Sequence, residues 1–236
     1  MKRLLTSLTL MILVLGACAP NARPTEPQSI IVEQPTKVRV DLTPAQRIAV
    51  STLAKNLGLT PDKIKLVSTQ AEDWPDACLG IAMKDIVCAQ VVTPGFRVTL
   101  EVDGKQVEYH TNQDGSIIRP ATVALTWERS GGFAGFCDSL TIYLSGEVQG
   151  STCNNAPMRE KSVAEMLTAA EITRLNGWVS KYGIINVDAS DPVGVADGMA
   201  LRLQLNGMGD EPTVPSATQQ TMMQFAQNLY QTLMSK

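Results

Sequence analysis

The sequence has little histidine, the residue on which most hydrolytic chemistry depends. His110 is the only one among 236 residues, although histidine is the commonest general base and a frequent zinc ligand. It alternates with apolar positions in a predicted strand and shares a face with Glu108 and Asn112, so we expect a solvated side chain. A pair of carboxylates would still allow glycoside hydrolysis, but the acidic residues are scattered. We therefore predict a protein that is not an enzyme and has no cofactor.

Motifs for phosphate, for a nucleophile and for metal are also missing. The stretch 129–137, RSGGFAGFC, is neither G-x-x-x-x-G-K-S/T nor G-x-G-x-x-G, and a strand follows it instead of a helix. Ser130 does not stand in a G-x-S-x-G elbow. Calcium is conceivable at loop aspartates beside glycine and proline, but without EF-hand spacing we interpret them as solvated turns and expect no metal: Asp188, Asp191, Asp197 and Asp210.

Clusters of positive charge are absent as well. The chain has 20 basic and 23 acidic residues, for a formal charge of -3. Removal of residues 1–17 takes away Lys2 and Arg3, which leaves 18 basic against 23 acidic residues and a charge of -5. No basic cluster or basic-aromatic stripe is present, so we expect no nucleic-acid partner.

Only the N-terminus holds a long apolar run. Lys2 and Arg3 precede about a dozen apolar residues, too few to span a bilayer and typical of a signal peptide. The run ends in LGAC at 15–18, which resembles the lipobox of bacterial lipoproteins. The resemblance implies a signal peptide over 1–17 and acylation of Cys18, with palmitate as one chain, so that the exported protein is anchored to a membrane of the bacterial cell envelope. An ordinary signal peptide cut nearby is the alternative.

The segment that follows the anchor is rich in proline and has little periodic pattern. We interpret residues 18–40, which contain four prolines, as a flexible tether that holds the folded part away from the membrane. The folded part then comprises two candidate modules, at 41–120 and 121–236.

Four cysteines remain once Cys18 is assigned to lipid, and four cysteines allow three pairings. We expect two local disulfides, Cys78 with Cys88 and Cys137 with Cys153, because each pair falls within one candidate module. A metal site is disfavoured, since close C-x-x-C spacing is missing and the one histidine is remote from both pairs.

The first module, 41–120, shows an α+β pattern. A helix begins after Thr43 and ends near Gly58, and strands at 96–101 and 106–111 flank the hairpin signal Asp103-Gly104. Segment 95–119 resembles the PepSY family, in which a helix packs on a curled antiparallel sheet, and whose members accompany thermolysin-like metallopeptidases. We expect Trp74, in the cysteine-containing insert, to anchor the core or a loop.

The second module, 121–236, is also predicted to be α+β. Strands are indicated on both sides of the glycine-rich stretch and again at 199–205, and helices follow the capping box Thr168 to Glu171 and begin again near Ser216. The predicted fold class is therefore α+β throughout, with two small modules that each pack an antiparallel sheet against one or two helices.

The glycine-rich stretch resembles emfourin, a small protein inhibitor of thermolysin-like metallopeptidases. The matching residues are Arg129, Ser130, Gly131, Gly132, Phe133, Ala134 and Gly135, and Cys137 and Cys153 are additions to that pattern. The resemblance implies an inhibitory loop that is inserted into the cleft of such an enzyme. Phe133 or Phe136 would fill an apolar pocket, and free backbone donors near Gly131 and Gly132 would pair with an edge strand of the enzyme.

Two alternatives stay open. The glycines are also compatible with a purely structural turn in which one phenylalanine faces the core. The whole protein is compatible with an envelope lipoprotein that binds a glycan or another protein through the Trp74 loop, without inhibition of a protease.

Overall fold

The computed structural model describes residues 41–82, 87–153 and 161–235, and they form an α+β fold, as predicted. The predicted signal peptide, Cys18 and the tether lie outside the described residues. Residues Asp41–Lys236 form one compact unit, and one cluster of buried apolar side chains extends through it. No helix of the described part is long and apolar enough to cross a membrane.

The first helix, α1 (Pro44–Leu57), begins and ends where its sequence signals predict. Thr43 and Gln46 form a reciprocal capping box, with hydrogen bonds of 2.8 and 3.3 Å. Gly58 ends the helix in the left-handed conformation. The helix buries its apolar face, including Ala49 and Leu53, in the common core.

The first sheet contains β1 (Lys65–Trp74), β2 (Thr93–Val102), β3 (Lys105–Asn112) and β4 (Ile118–Pro120), in that order. Asp103 and Gly104, with φ of 49° and 74°, form the predicted hairpin turn between β2 and β3. Residues 75–92 connect β1 to β2 and are called the cysteine loop below. The chain passes to the second sheet after Pro120, where the module boundary was predicted.

The second sheet has six strands in the order β8-β7-β6-β5-β10-β9. These are β5 (Val123–Gly131), β6 (Phe136–Tyr143), β7 (Glu147–Thr152), β8 (Lys161–Met166), β9 (Ile184–Asp188) and β10 (Met199–Asn206). The sequence interpretation missed β8 and β9. Both are short edge strands, paired on one side only, and an alternation over five or six residues is too brief to distinguish them from a loop.

Helices α2 (Ala169–Lys181) and α3 (Ser216–Met234) complete the fold. Trp127 of β5 contacts Tyr230 of α3 with ring centroids 5.2 Å apart, and Trp178 of α2 packs edge-on against Phe225 of α3. Met222 of α3 is fully buried and fills the core. The face of the second sheet that points away from α3 carries mainly hydroxyl and amide side chains, and it is called the polar face below.

The order of the antiparallel strands brings three connections to one end of the second sheet. These are the β5–β6 turn, the β7–β8 connection and the β9–β10 loop. Residues 154–160 of the β7–β8 connection lie outside the described residues. The predicted inhibitory stretch is therefore at an end of the sheet, beside the β9–β10 loop.

Candidate functional site

The glycine-rich stretch forms the end of β5, a tight turn and the start of β6. Gly131, Gly132 and Gly135 adopt positive φ of 81°, 71° and 61°, and the amide of Gly135 donates a 2.9 Å hydrogen bond to the carbonyl oxygen of Gly132. Position 131 also requires glycine because the neighbouring backbone lies close to it: a Cβ at 131 would be 2.6 Å from the backbone oxygen of Gly198. The glycines thus determine the shape of the turn.

The two phenylalanines of the stretch have opposite environments. Phe133, at the tip of the turn, is 95% exposed. Phe136 is half-buried, and its ring centroid lies 3.9 Å from the guanidinium carbon of Arg129, within the range of a cation–π contact. One aromatic ring is accessible to a partner, while the other attaches the turn to the sheet.

A buried carboxylate lies directly beneath the turn. Asp138 is 4% exposed, and its Oδ2 accepts hydrogen bonds from Nε (2.8 Å) and Nη2 of Arg129. Its Oδ1 accepts a 2.6 Å hydrogen bond from the hydroxyl of Tyr230 on α3. Burial of a charged group is costly unless it is paired and hydrogen-bonded, and here both carboxylate oxygens have donors. The Arg129–Asp138–Tyr230 network therefore holds the root of the turn.

The charge state of this network is determined by its hydrogen bonds. Burial raises the pKa of the Asp138 carboxyl, but hydrogen bonds from Tyr230, Arg129 and Thr152 outweigh burial and hold that pKa below its ordinary value. Burial, together with the hydrogen bond to Asp138, raises the pKa of the Tyr230 phenol. Asp138 is consequently ionised at neutral pH, and Tyr230 is the neutral donor that the geometry requires.

Both predicted disulfides are present. Cys137 and Cys153, with Cα atoms 5.6 Å apart, connect β6 to the residue after β7. Cys137 pairs with Ser130 in the β5–β6 register, so this cross-link lies beside the base of the turn. Cys78 and Cys88, also 5.6 Å apart at Cα, close the cysteine loop. The two bonds indicate an oxidising, extracytoplasmic environment.

The β9–β10 loop, residues 189–198, lies against the turn because β10 is the other neighbour of β5. The amide of Gly132 donates a 3.1 Å hydrogen bond to the carbonyl oxygen of Gly198. The predicted free backbone donor at Gly132 is therefore wrong, and Gly131 belongs to an interior strand, in register with both β6 and β10. A partner must engage the turn mainly through the side chains at its tip.

The prediction of a solvated His110 is also wrong. The side chain is 6% exposed, and its ring stacks on Trp74 with centroids 3.9 Å apart. Nδ1 lies 2.7 Å from the carbonyl oxygen of Leu79, and Nε2 lies 3.0 Å from Oε1 of Glu108. The cysteine loop covers this face of β3, and strand periodicity has no information about such a long-range contact. Trp74 itself anchors core and loop, as predicted, with Nε1 donating to Thr111 O at 2.9 Å.

Two of the four aspartates named above, Asp188 and Asp191, accept hydrogen bonds from nearby backbone amides. Oδ1 of Asp188 accepts from the amide of Ser190 at 3.0 Å, and Oδ2 of Asp191 accepts from the amide of Met199 at 2.8 Å. Both carboxylates are exposed, in agreement with solvated turns. Within the described residues, the potential metal-ligand group is Asp76 with Cys78 and Cys88, whose sulfurs are joined in the disulfide.

A groove of about 550 Å³ lies between the cysteine loop and the polar face of the second sheet. Gly80, Ile81 and Ala82 contribute from the loop. Glu128 is the one charged residue among the described residues that line it, and the other polar lining residues carry hydroxyls or an amide: Thr126, Ser139, Thr141, Tyr143, Gln149, Ser151 and Ser162. A lining of this kind suits a hydroxyl-rich, uncharged ligand better than an anion.

Comparison with known proteins gives one match, for the first part of the chain. Residues 46–120 match the model of a domain of unknown function, DUF8738. The matched segment contains most of α1 and the whole first sheet, and ends at Pro120. No curated protein and no solved structure matches the chain.

Proposed function

We propose that this protein is a lipid-anchored, non-enzymatic inhibitor of a thermolysin-like metallopeptidase, and that the glycine turn occupies the enzyme's cleft. The observation that carries the proposal is the 95% exposure of Phe133 at the tip of a turn that is braced from below. The resemblance of 129–135 to emfourin supports the choice of partner. The resemblance of 95–119 to PepSY proteins supports the same class of enzyme.

Preorganisation is the physical reason why such a turn would inhibit. Binding is weakened by the entropy that a flexible loop loses on docking, and a loop already held in one shape loses less. Three features hold this turn: the Arg129–Asp138–Tyr230 network, the disulfide at Cys137 and the hydrogen bond from Gly132 to the neighbouring loop. Burial of the Phe133 ring then contributes about 1.5–3 kcal/mol, or roughly 10- to 150-fold in affinity.

The predicted anchor places the inhibitor where exported peptidases act. In this proposal Cys18 carries the lipid, the tether 18–40 spans the distance from the membrane, and the folded unit meets the enzyme outside the cytoplasm. The disulfides agree with that compartment.

The test is inhibition of a panel of thermolysin-like metallopeptidases by the oxidised mature chain with Cys18→Ser, which needs no lipid. We expect near-stoichiometric inhibition of at least one enzyme, and a 10- to 100-fold higher Ki for Phe133→Ala, roughly the loss of one buried aromatic side chain. Val87→Ala is the matched control, because Val87 is 99% exposed and belongs to the cysteine loop, not to the turn. Full activity of every enzyme in the panel would refute the proposal.

The groove beside the cysteine loop favours a second candidate function, an envelope module that binds a glycan or another protein. Capture from solubilised envelopes distinguishes the two. Recovery of a glycan or a structural protein without any peptidase, sensitive to the groove-filling Thr141→Trp and insensitive to Phe133→Ala, favours the second candidate. Recovery of a peptidase with the reverse sensitivity favours the first.

A further inference from the structure

We infer that the β9–β10 loop, residues 189–198, is a second recognition element for the same peptidase, with Val193 entering an apolar pocket beside the one that receives Phe133. The inference rests on the proposed function and deepens it. With two side chains in two pockets, the fit between the loops and the enzyme determines which peptidases are inhibited.

The exposure of Val193 is the first observation. Its side chain is fully exposed, and Val195, two residues on, is 50% exposed. Val193, Phe133 and Val87 are the three most exposed large apolar side chains among the described residues, and two of these three lie on adjacent loops. Exposed apolar side chains on neighbouring loops are candidates for one interaction site.

Contact between the two loops is the second observation. The 3.1 Å hydrogen bond from the Gly132 amide to the Gly198 carbonyl joins them. Gly131 approaches Gly198 so closely that no Cβ fits there. An enzyme that covers Phe133 therefore meets residues of the β9–β10 loop on the same approach.

The β9–β10 loop is itself held in one shape. Asp191 is bonded twice to Met199: its amide donates to the Met199 carbonyl at 2.8 Å, and its Oδ2 accepts from the Met199 amide at 2.8 Å. Further along, the amide of Gly198 donates to the carbonyl of Val195 at 3.1 Å. Little conformational freedom is left for Val193 to lose on binding, so its burial contributes directly to affinity.

Charge around the tips supports a metallopeptidase as the occupant. Residues 188–198 contain three aspartates and no lysine or arginine, and Asp191 and Asp197 are exposed. In the proposed enzyme, the divalent cation and the donors that stabilise an oxyanion are positive groups within the cleft. Apolar tips within a negative rim are complementary to such a cleft, and this complementarity makes association faster at low ionic strength.

The experiment compares Val193→Asn with Val87→Asn in the oxidised mature chain carrying Cys18→Ser, against a peptidase that the unsubstituted chain inhibits. Both valines are exposed, so neither change alters folding, and equal melting curves by circular dichroism check this. We expect about a 10-fold higher Ki for Val193→Asn and a change below about 2-fold for Val87→Asn, which loses no contact. Val193→Ala should shift the Ki in the same direction by a smaller factor.

Phe133→Ala separates this inference from the proposed function. In the double variant that combines Phe133→Ala with Val193→Asn, the fold-increases in Ki of the two single variants should multiply, because two separate pockets act independently. If Phe133→Ala raises the Ki and Val193→Asn does not, the second recognition element is refuted while the proposed function stands. If the unsubstituted chain inhibits no peptidase, the proposed function fails and this inference fails with it.

Discussion

The hydroxyl of Tyr230 donates a 2.6 Å hydrogen bond to the carboxylate of Asp138, 92 positions earlier in the chain. This bond connects the last helix to the root of the glycine turn. Arg129 donates to the other oxygen of the same carboxylate and covers the ring of Phe136. The shape of an exposed turn thus depends on a buried contact with the C-terminal helix.

Asp138→Asn should lower the free energy of unfolding at pH 7 by about 3 kcal/mol, because it removes one partner of a buried ion pair. The pKa of Asp138 is lowered in the folded state. The ionised carboxylate therefore contributes to the free energy of unfolding at pH values above its unfolded-state pKa of about 4, and this contribution is lost as the pH falls through its folded-state pKa. Urea unfolding at pH 7 and below pH 4 should show the difference from the unsubstituted chain narrowing in acid. Tyr230→Phe, which keeps the ion pair, should cost only about 1–2 kcal/mol. Equal stability of Asp138→Asn at pH 7 would contradict the role of the network.

Glu147→Gln should raise the free energy of unfolding at pH 7, whereas Asp138→Asn should lower it. Oε2 of Glu147 accepts a 2.6 Å hydrogen bond from Ser145, and burial raises the pKa of this carboxyl. Because the pKa of Glu147 is raised in the folded state, its ionisation at neutral pH opposes folding. The free energy of unfolding therefore increases as the pH falls from above the folded-state pKa towards the unfolded-state pKa. The neutral amide should therefore stabilise the protein at pH 7 by roughly 1 kcal/mol and make no difference in acid. A loss of stability at pH 7 in thermal melts would count against this explanation.

Removal of either disulfide should lower stability by a similar amount, but only one of the two removals should weaken inhibition. Removal of either, as Cys137→Ser with Cys153→Ser or as Cys78→Ser with Cys88→Ser, should cost about 3 kcal/mol through the greater entropy of the unfolded chain. Only the first pair braces the turn, so only its removal should also raise the Ki in the peptidase assay, at a temperature where both variants stay folded. Equal effects of both pairs on the Ki would show that the brace has no specific role.

Cys18→Ser should release the protein from the membrane. The thiol of Cys18 is the predicted site of acylation, and stable anchoring takes two acyl chains or a second membrane-binding signal, because a single chain binds a bilayer only marginally. Metabolic labelling with radioactive palmitate should mark the unsubstituted chain and not the variant, and detergent phase partition should move the variant to the aqueous phase. A label on the Cys18→Ser chain would place the acyl group elsewhere.

Local signals predicted the elements best. Thr43 caps the start of α1, Thr168 and Glu171 form the predicted capping box of α2, and Asp103-Gly104 forms the hairpin turn. Each of these depends on residues within four positions of one another, so the information is complete in a short stretch of sequence. The glycine turn was located between its two strands for the same reason.

Long-range contacts explain the errors and omissions. His110 was expected in solvent because alternation places it opposite Tyr109, but the cysteine loop covers that face and supplies the carbonyl of Leu79. Asp138 and Tyr230 were not recognised as functional. A signal for Asp138 did exist, since it alternates in phase with the inward-facing Leu140 and Ile142, a pattern that indicates a buried carboxylate in need of a donor.

The sequence by itself determined the α+β class, the three helices, the main strands, both disulfide pairings and the place of the glycine turn between two strands, because capping, turn conformation and local cysteine pairing involve residues close together in the chain. Only the tertiary structure decided that Phe133 is exposed and Phe136 covered, that Gly132 is bonded to the β9–β10 loop, and that Tyr230 supports the turn from the last helix. These relationships join segments far apart in the chain. Packing of the whole core selects them, and no local pattern of residues contains them.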